Sequence, residues 1–356
     1  MKILGIETSC DETAASVVED GNVLLSNVVS SSVDLHKAYG GVVPEIAARS
    51  HIEVILPVIG KALSDAGCSW DDIDAIAVTY GPGLGGSLLI GVMTARTLAI
   101  AKSKPLYAVN HVTAHSFAAF LTEVQMDIKP GYSLPDSQPE FPALALIVSG
   151  GHTQLVLFRS PVNYRVLGRT TDDAVGEAFD KVAKLLGLPY PGGPSVAQAA
   201  EKGHAESVKL PVANTEGKYD FSYSGLKTAV LRACQALIGE DYTFPSSGLS
   251  KRLSEAQKAD ISAGFQSTAI KMLVDKTGAA VFEYKPKNLI VAGGVAANQE
   301  LRHQIKKAVK LPCFIPDIKL CTDNGAMIAT YAYYMASNGV PPADSYGLSP
   351  MPNLSM

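Results

Sequence analysis

The chain has 356 residues, of which 47% are hydrophobic and 18% are charged, and its formal net charge is −4. This composition supports a large core and excludes a generally disordered protein, and the length favours two domains over one. The weak net charge excludes a protein that binds nucleic acid through its bulk charge, so such a partner would need a local basic patch.

The five cysteines are an odd number and include no C-x-x-C pair. This pattern argues against a disulfide framework and against a cysteine-only metal site, and it fits a reducing compartment. The uncharged stretch 75–95 contains Pro82 and five glycines, which makes it a poor membrane span, and the first residues contain no apolar run of signal-peptide length. We therefore expect a soluble, cytoplasmic protein with no membrane partner.

A strand-turn-strand pattern occurs twice along the chain. Residues 2–31 read as a three-stranded meander, and residues 143–171 repeat that plan. Each meander is followed by helix-period sequence and a later apolar strand, "IDAIAVTY" in the first copy and "KNLIVAGG" in the second. The repeat predicts an α/β protein of two similar lobes.

The predicted boundaries follow from this repeat. Residues 1–125 form the first lobe, 126–142 a Pro-rich linker, 143–335 the second lobe, and 336–356 a tail without periodicity. The second lobe contains a helical insertion at about 172–284, in which helical spacing predicts one buried face formed by Ile261, Phe265, Ala269 and Leu273.

The motif "GPGLGG" at 81–86 matches G-x-G-x-x-G between a strand and a helix. A dinucleotide site also needs an acidic residue about 20 positions later, and the first acid here is Glu123. We therefore discount binding of NAD. A glycine turn that lets a helix pack on the sheet, or a nest of backbone amides, remains open.

Three glycine pairs in the second half suggest a nucleotide cleft. Gly150–Gly151 lie at the turn of the second meander, and Gly293–Gly294 with Asn298 lie between a strand and a helix. Asp180, on a predicted helix, could accept hydrogen bonds from ribose hydroxyls, and Gly192–Gly193 in the next turn could lie against a base. The alternatives are a plain hairpin turn and an Asp180 that pairs with Lys184.

The stretch "NHVTAHSF" places two of the seven histidines, His111 and His115, four positions apart. On a helix these positions share a face, so both imidazoles can bind one metal ion. A peptidase H-E-x-x-H motif would place Glu at position 112, where this chain has Val112. Asp323, at a predicted helix start, is our candidate for the third ligand of Fe(II) or Zn(II). A purely structural role of both histidines remains open.

At this point the sequence resembles the TsaD-like tRNA threonylcarbamoyladenosine transferase family. The resemblance covers residues 1 to about 335 and rests on ordered motifs that include "IETSCDETAASVV", "VNHVTAH", "VSGGHTQLV", "DFSYSGLKTAV", "AGGVAANQELR" and "CTDNGAMIA". It implies an actin-like, sugar-kinase-like duplicated two-lobe fold, the ASKHA fold. It also implies transfer of a threonylcarbamoyl group from threonylcarbamoyl-adenylate to N6 of the adenosine beside the anticodon in tRNAs reading ANN codons.

The resemblance also implies roles for individual residues. The family's metal ligands fall on His111, His115 and Asp323. Asp11 and Glu12 resemble an acidic pair that would position the amine or accept its proton. The adenylate-binding residues of the family fall on Ile147, Val148, Ser149, Gly150, Gly151, Asp180, Gly193 and Asn298.

The implied partners are tRNA, a shorter noncatalytic TsaB-like paralogue and a small TsaE-like ATPase. The candidate tRNA contacts are Lys181, Lys227, Arg232, Lys251 and Arg252. A helix within 40–67 could meet the paralogue, because its apolar residues cover more than one face: Val43, Ile46, Ala47, Ile52, Leu56, Ile59 and Leu63. An ATP-hydrolysing kinase or chaperone of the same fold, and a noncatalytic scaffold, are the other classes left open.

Overall fold

The computed structural model describes residues 1–125 and 131–356. Its strands are β1 (Lys2–Glu7), β2 (Glu12–Glu19), β3 (Val23–Leu24), β4 (Val28–Ser31), β5 (Ala75–Gly81), β6 (Leu106–Asn110), β7 (Glu123–Val124), β8 (Ala143–Val148), β9 (Thr153–Ser160), β10 (Asn163–Arg169), β11 (Asn288–Ala292) and β12 (Cys313–Phe314). Its α-helices are α1 (Val33–Lys37), α2 (Pro44–Asp65), α3 (Gly85–Lys102), α4 (His111–Phe117), α5 (Val175–Leu186), α6 (Gly192–Ala200), α7 (Ser224–Leu237), α8 (Leu249–Arg252), α9 (Glu255–Tyr284), α10 (Gln299–Ala308), α11 (Ile318–Cys321) and α12 (Gly325–Ser337).

The two sheets have the same strand plan. The first runs β6-β5-β1-β2-β3-β7, with β4 also paired to β2, and the second runs β10-β9-β8-β11-β12. In each sheet a meander supplies one side, and a later strand joins the first meander strand in parallel: β5 beside β1, and β11 beside β8. This repeated order confirms the predicted duplication of an α/β unit.

The chain divides into two compact units that are not continuous in sequence. Unit 1 contains residues 1–142, 158–164 and 314–356, and unit 2 contains residues 143–157 and 165–313. The end of the predicted second lobe differs, because α12 packs on β1 and so belongs to unit 1. Of the predicted linker, residues 131–142 form neither helix nor strand, and 126–130 lie outside the described residues.

The sheet of unit 1 is covered on both faces. The even-numbered residues Leu4 and Ile6 of β1 pack against α2 and α3 in one apolar core. Gly5 points to the opposite face, where a methyl group would overlap the carbonyl oxygen of Gly325 and lie 2.6 Å from the nitrogen of Ala329. Only glycine at this strand position lets α12 approach so closely.

Unit 2 contains the predicted helical insertion, which spans α5 to α9. The long helix α9 begins with a reciprocal capping box between Ser254 and Gln257. Its predicted core face is confirmed, because these four residues are buried: Ile261, Phe265, Ala269 and Leu273. Among the described residues, every helix is too short or too polar to cross a membrane.

The residues after α12 do not form a free tail. They lie along α3, where the Arg96 guanidinium donates hydrogen bonds to the carbonyl oxygens of Ser345, Tyr346 and Leu348. The "GPGLGG" loop is part of this contact, since the Gly83 N–H donates to the carbonyl oxygen of Pro352 at 3.1 Å. An amide that this loop could offer to an anion is therefore used within the chain.

Candidate metal centre and glycine loops

The two histidines lie on the short helix α4 of unit 1. The side chain of Asn110 caps the helix by accepting a hydrogen bond from the Thr113 N–H at 3.1 Å, which fixes His111 as its first residue. The imidazole rings of His111 and His115 are 4.7 Å apart between centroids and both are buried. The prediction that His111 and His115 lie on one face of a helix is confirmed.

Asp323 meets this pair from the turn between α11 and α12. The sequence predicted a helix start here, and the helix begins two residues later with Asn324 as its cap. Oδ1 of Asp323 lies 3.7 Å from Nε2 of His111 and 3.5 Å from Nε2 of His115. One potential ligand atom from each of the three residues lies within 4.8 Å of the others, as one metal ion requires.

A buried glutamate that the sequence reasoning missed holds His111 in place. Glu7 ends β1 and is fully buried, and its carboxylate accepts hydrogen bonds from the Ser9 N–H and the Thr79 hydroxyl, each at 2.5 Å. Nδ1 of His111 lies 3.1 Å from Glu7 Oε2 and 3.1 Å from the Ser9 hydroxyl. The sequence did contain a signal for the role of Glu7, because a carboxylate at the end of the apolar strand "KILGIE" is unusual.

The Glu7 contact decides which imidazole nitrogen faces Asp323. Burial would raise the pKa of Glu7, but the charge of His111 and the hydrogen bonds lower it to about 2, so Glu7 is ionised. An ionised carboxylate only accepts hydrogen bonds, so Nδ1 of His111 must carry the proton. Burial opposes a charge on His111, but Glu7 and Asp323 raise its pKa to about 9, so metal binding at Nε2 requires loss of the proton on that nitrogen. The Nε2 lone pair then faces Asp323, which is the form that binds a metal.

Asp11 and Glu12 lie at the turn between β1 and β2, and both are half-buried. Burial, with the negative charges of Asp323 and Asp11, raises the pKa of Glu12 to about 9. The protonated form of Glu12 is therefore favoured near neutral pH. The roles of Asp11 and Glu12 in positioning the amine or accepting its proton stay predictions.

The donor set suits a divalent transition metal. Two imidazoles and one carboxylate with open positions are typical of Fe(II) and of catalytic Zn(II) sites. Burial raises the pKa of Asp323 to about 6, and the negative charges of Glu7 and Asp11 add to this increase. A bound cation would offset the cost of grouping these acids, and the 18% exposure of the Asp323 side chain leaves an approach for a substrate oxygen.

The predicted nucleotide-binding glycines of unit 2 fall into two groups. Gly192 and Gly293 are crowded by backbone: a methyl group on Gly192 would lie 2.5 Å from Cα of Asp180, and one on Gly293 would come too close to the Val148 carbonyl oxygen. Gly150, Gly151, Gly193 and Gly294 have open space where a side chain would stand. A ligand could approach the backbone closely at these four positions.

Asp180 lies on α5, half-buried, beside the start of α6. Its Oδ1 accepts a hydrogen bond from the Gly192 N–H at 2.7 Å, and burial raises its pKa despite this bond. The predicted pair with Lys184 does not form among the described ion pairs. Gly193 lies in the first turn of α6, whereas the sequence placed it in the preceding turn.

The remaining predicted residues have structural contacts of their own. Ile147 and Val148 end β8 and are fully buried, so they could meet a ligand only through the backbone. Asn298 caps α10 by accepting from the Leu301 N–H, and its amide donates to Gln266 at 2.9 Å. One lone pair and one N–H of its side chain are therefore used within unit 2, and its contact with the adenylate stays a prediction.

Several predicted tRNA contacts are engaged inside the protein. Lys181 pairs with Asp173 at 2.6 Å and with Glu177 at 2.9 Å, and Arg252 lies 3.4 Å from Glu240. Arg232 donates hydrogen bonds to Gln235 and to the carbonyl oxygen of Tyr242. These partners weaken their assignment to tRNA, while that of Lys227 and Lys251 stays a prediction.

Comparison with known proteins gives the family. The family model described as "TsaD: tRNA N6-adenosine threonylcarbamoyltransferase" matches residues 23–330. A relative of that name from Thermomicrobium roseum is 49% identical over 347 residues, covering 96% of this chain and 93% of its own. One from Dehalococcoides mccartyi is 47% identical over 356 residues, covering 100% of this chain and 99% of its own.

A solved structure supports the fold. Full-length HypF in a phosphate- and nucleotide-bound form matches with a TM-score of 0.53 at 12% identity, covering 95% of this chain and 47% of that chain. This likeness agrees with the duplicated sheets and the predicted ASKHA-type α/β fold. By its sequence, the chain belongs to the TsaD family of tRNA N6-adenosine threonylcarbamoyltransferases, which are transferases that act on tRNA.

Proposed function

We propose that this chain transfers the threonylcarbamoyl group of threonylcarbamoyl-adenylate to the N6 amine of the adenosine beside the anticodon in tRNAs that read ANN codons. The amine nitrogen forms a bond to the carbamoyl carbon, the bond from that carbon to the phosphate oxygen breaks, and AMP leaves. The amine loses one proton to a base. The observation that carries this proposal is the His111, His115 and Asp323 cluster in a chain of this family.

The metal-binding residues are proposed to hold one divalent ion, Fe(II) in preference to Zn(II). When bound, the ion would act as a Lewis acid that stabilises negative charge on the carbonyl oxygen. Glu7 and Ser9 would orient His111, and the exposed edge of Asp323 would leave room for that oxygen. A weak nucleophile such as an adenine amine needs this activation.

The two acids of the β1–β2 turn have different proposed roles. Asp11 is our candidate for accepting the amine proton. Glu12, held protonated by burial and by its acidic neighbours, would donate a hydrogen bond to substrate. In such a pair the carboxylate can accept a proton, and the neighbouring carboxylic acid can donate one.

Unit 2 is proposed to bind the adenylate. The amides of Gly150 and Gly151 would hold the phosphate, because small residues let backbone N–H groups approach an anion. Asp180 would accept hydrogen bonds from the ribose, and the open position at Gly193 would lie against the base. Because its substrate is tRNA, the reaction is also proposed to take place in the cytoplasm.

An apolar patch on unit 1 is proposed to bind the shorter TsaB-like paralogue. Ile52 and Leu56, one turn apart on α2, are 61% and 64% exposed, and Leu89 and Met93 on the adjacent α3 are 45% and 46% exposed. Both helices bury their other face in the core, so this second apolar face lacks an intramolecular use. The small TsaE-like ATPase is proposed from the family resemblance alone.

Reconstitution tests the reaction. We expect the chain with its two partners, threonylcarbamoyl-adenylate and tRNA to form modified adenosine and one AMP per transfer, as measured by mass spectrometry of nucleosides. Asp323→Ala should lower the yield roughly hundredfold or more because a metal ligand is lost. Asp65→Asn, at an exposed acid paired with Lys61, is the control. ATP hydrolysis by the chain alone, with no modified adenosine, would favour the kinase-like alternative.

Glu7→Gln tests the orientation of His111. The amide would turn its NH₂ toward His111 Nδ1, select the tautomer with a proton on Nε2, and so lower zinc affinity about 10- to 100-fold. Affinity is measured by competition with a chromophoric chelator. Thr13→Val, which removes a 2.7 Å hydrogen bond from the buried His51, should leave zinc affinity unchanged. Equal affinities in wild type and Glu7→Gln would rule out this role.

Gly151→Val tests the adenylate loop. The open space at Gly151 tolerates a side chain in the free protein, but the added methyl groups would occupy the place of the phosphate. We expect calorimetry to show AMP affinity at least about tenfold weaker, which is about 1.4 kcal/mol. Gly278→Ala, another open glycine, on α9, should bind AMP normally. Unchanged AMP affinity in Gly151→Val would move the site elsewhere.

Leu56→Asp tests the partner surface. A carboxylate buried in an apolar interface loses its hydration, so we expect association with the paralogue to weaken roughly tenfold to hundredfold in light-scattering chromatography. The matched control is Val212→Asp, at an apolar residue of unit 2 that is 45% exposed. If both variants associate like the wild type, the paralogue binds another surface.

A further inference from the structure

One short segment of unit 2 has a charge opposite to that of the whole chain. Residues 284–312 contain six lysine and arginine residues and one glutamate, a formal charge of +5 in a chain whose net charge is −4. The net charge of the whole chain does not reveal this locally basic segment. Its cations are Lys285, Lys287, Arg302, Lys306, Lys307 and Lys310.

The fold gathers most of these cations at one end of unit 2. Helix α10 carries the chain from the carboxyl end of β11 back to its amino end, where the Leu289 N–H donates to the carbonyl oxygen of Pro312 at 3.0 Å. Lys310 stands two residues before Pro312, and Lys287 two residues before Leu289. Lys306 and Lys307 lie in the last turn of α10, at the same end.

We call the residues Lys285, Lys287, Lys306, Lys307 and Lys310 the lysine cluster. All five are exposed, and among the described residues no carboxylate lies within ion-pair distance of Lys285, Lys306, Lys307 or Lys310. The nearest acid along α9, Glu283, is already bound to Lys218 and to the Tyr219 hydroxyl. The positive charges of Lys285, Lys306, Lys307 and Lys310 are therefore not neutralised by a carboxylate of the described residues.

An exposed aromatic ring lies beside the cluster. Phe282 is 85% exposed and lies in the last turn of α9, three residues before Lys285, which follows the end of the helix. Its ring faces solvent and can be reached by a partner. Cations next to an exposed ring are a combination that binds nucleic acid, through phosphates and through stacking on unpaired bases.

We propose that the lysine cluster binds the phosphate backbone of the substrate tRNA. The ten residues of α10 span about 15 Å, so the cluster lies about that far from the glycine loops at the other end of the helix. It would hold the body of the tRNA and would not touch the reacting adenine through the same contact. The proposal rests on tRNA as the substrate of this family, and it adds a surface to that function.

Phosphate is favoured over other anionic partners by the residues themselves. Lysine ammonium groups act as point charges that contact phosphates without reading sequence, as a protein that modifies several tRNAs requires. An acidic protein would also attract the cluster, and that class becomes an outcome of the test.

The test compares two charge-matched triple variants of the full-length chain. One is Lys306→Gln, Lys307→Gln and Lys310→Gln, and the other changes the exposed lysines Lys202, Lys209 and Lys271 to Gln. Binding of an unmodified tRNA transcript is measured by fluorescence anisotropy at several salt concentrations. We expect the first variant to bind about tenfold more weakly, with a salt slope lowered by about 2 to 3, and the control to stay within twofold of the wild type.

Phe282→Ala separates stacking from charge. It should weaken tRNA binding while leaving the salt slope unchanged, because no cation is removed. In reconstituted reactions the triple variant should raise KM for tRNA and keep kcat. If the wild type is inactive but still binds tRNA through the lysine cluster, the proposed reaction is wrong and the proposed tRNA-binding surface is supported.

Two results would overturn the proposal. Equal weakening by both triple variants would show an effect of bulk charge alone. Unchanged tRNA affinity in the first variant would assign the cluster to another partner, such as an acidic protein.

Discussion

The close contact between α12 and β1 is the constraint on which the metal centre depends. Gly5 presents no side chain to the helix, so the backbone at Gly325 packs directly on the strand. Asp323 stands two residues before that contact, and its distance from the histidines is set by how closely α12 approaches. Any larger residue at position 5 would displace the helix start and the carboxylate with it.

Burial affects the acids of this region in two opposite ways. Glu7 is fully buried, but every neighbour it contacts donates a hydrogen bond or carries positive charge, so its ionised form is favoured. Glu12 and Asp323 are grouped with other acids, and their pKa values are raised. The energetic cost of grouping acids is therefore concentrated where a cation can offset it.

The sequence was informative wherever a local pattern fixed the geometry. The i,i+4 spacing of His111 and His115 gave the shared helix face, and the repeated meanders gave the duplicated sheets. Contacts between distant segments could not be predicted in this way. Glu7 meets His111 across 104 residues of chain, and α12 returns to unit 1 only because a strand glycine accepts it.

Side chains that already bind other residues were a second reason why the sequence did not predict the site fully. Asn298 read as a ligand contact, and its oxygen and nitrogen also bind Leu301 and Gln266. Lys181 read as a free cation, yet it pairs with Asp173 just before α5 and with Glu177 on α5. A sequence pattern gives the chemical type of a side chain, but it does not show which neighbouring groups already form hydrogen bonds or ion pairs with it.

The two copies of the fold carry opposite chemistry at equivalent turns. The turn after the first strand of unit 1 ends in the acids Asp11 and Glu12, whereas the matching turn of unit 2 contains Gly150 and Gly151. The first turn repels anions, whereas the second contains no acidic side chain. A negatively charged ligand is therefore disfavoured at the first turn and meets no such repulsion at the second.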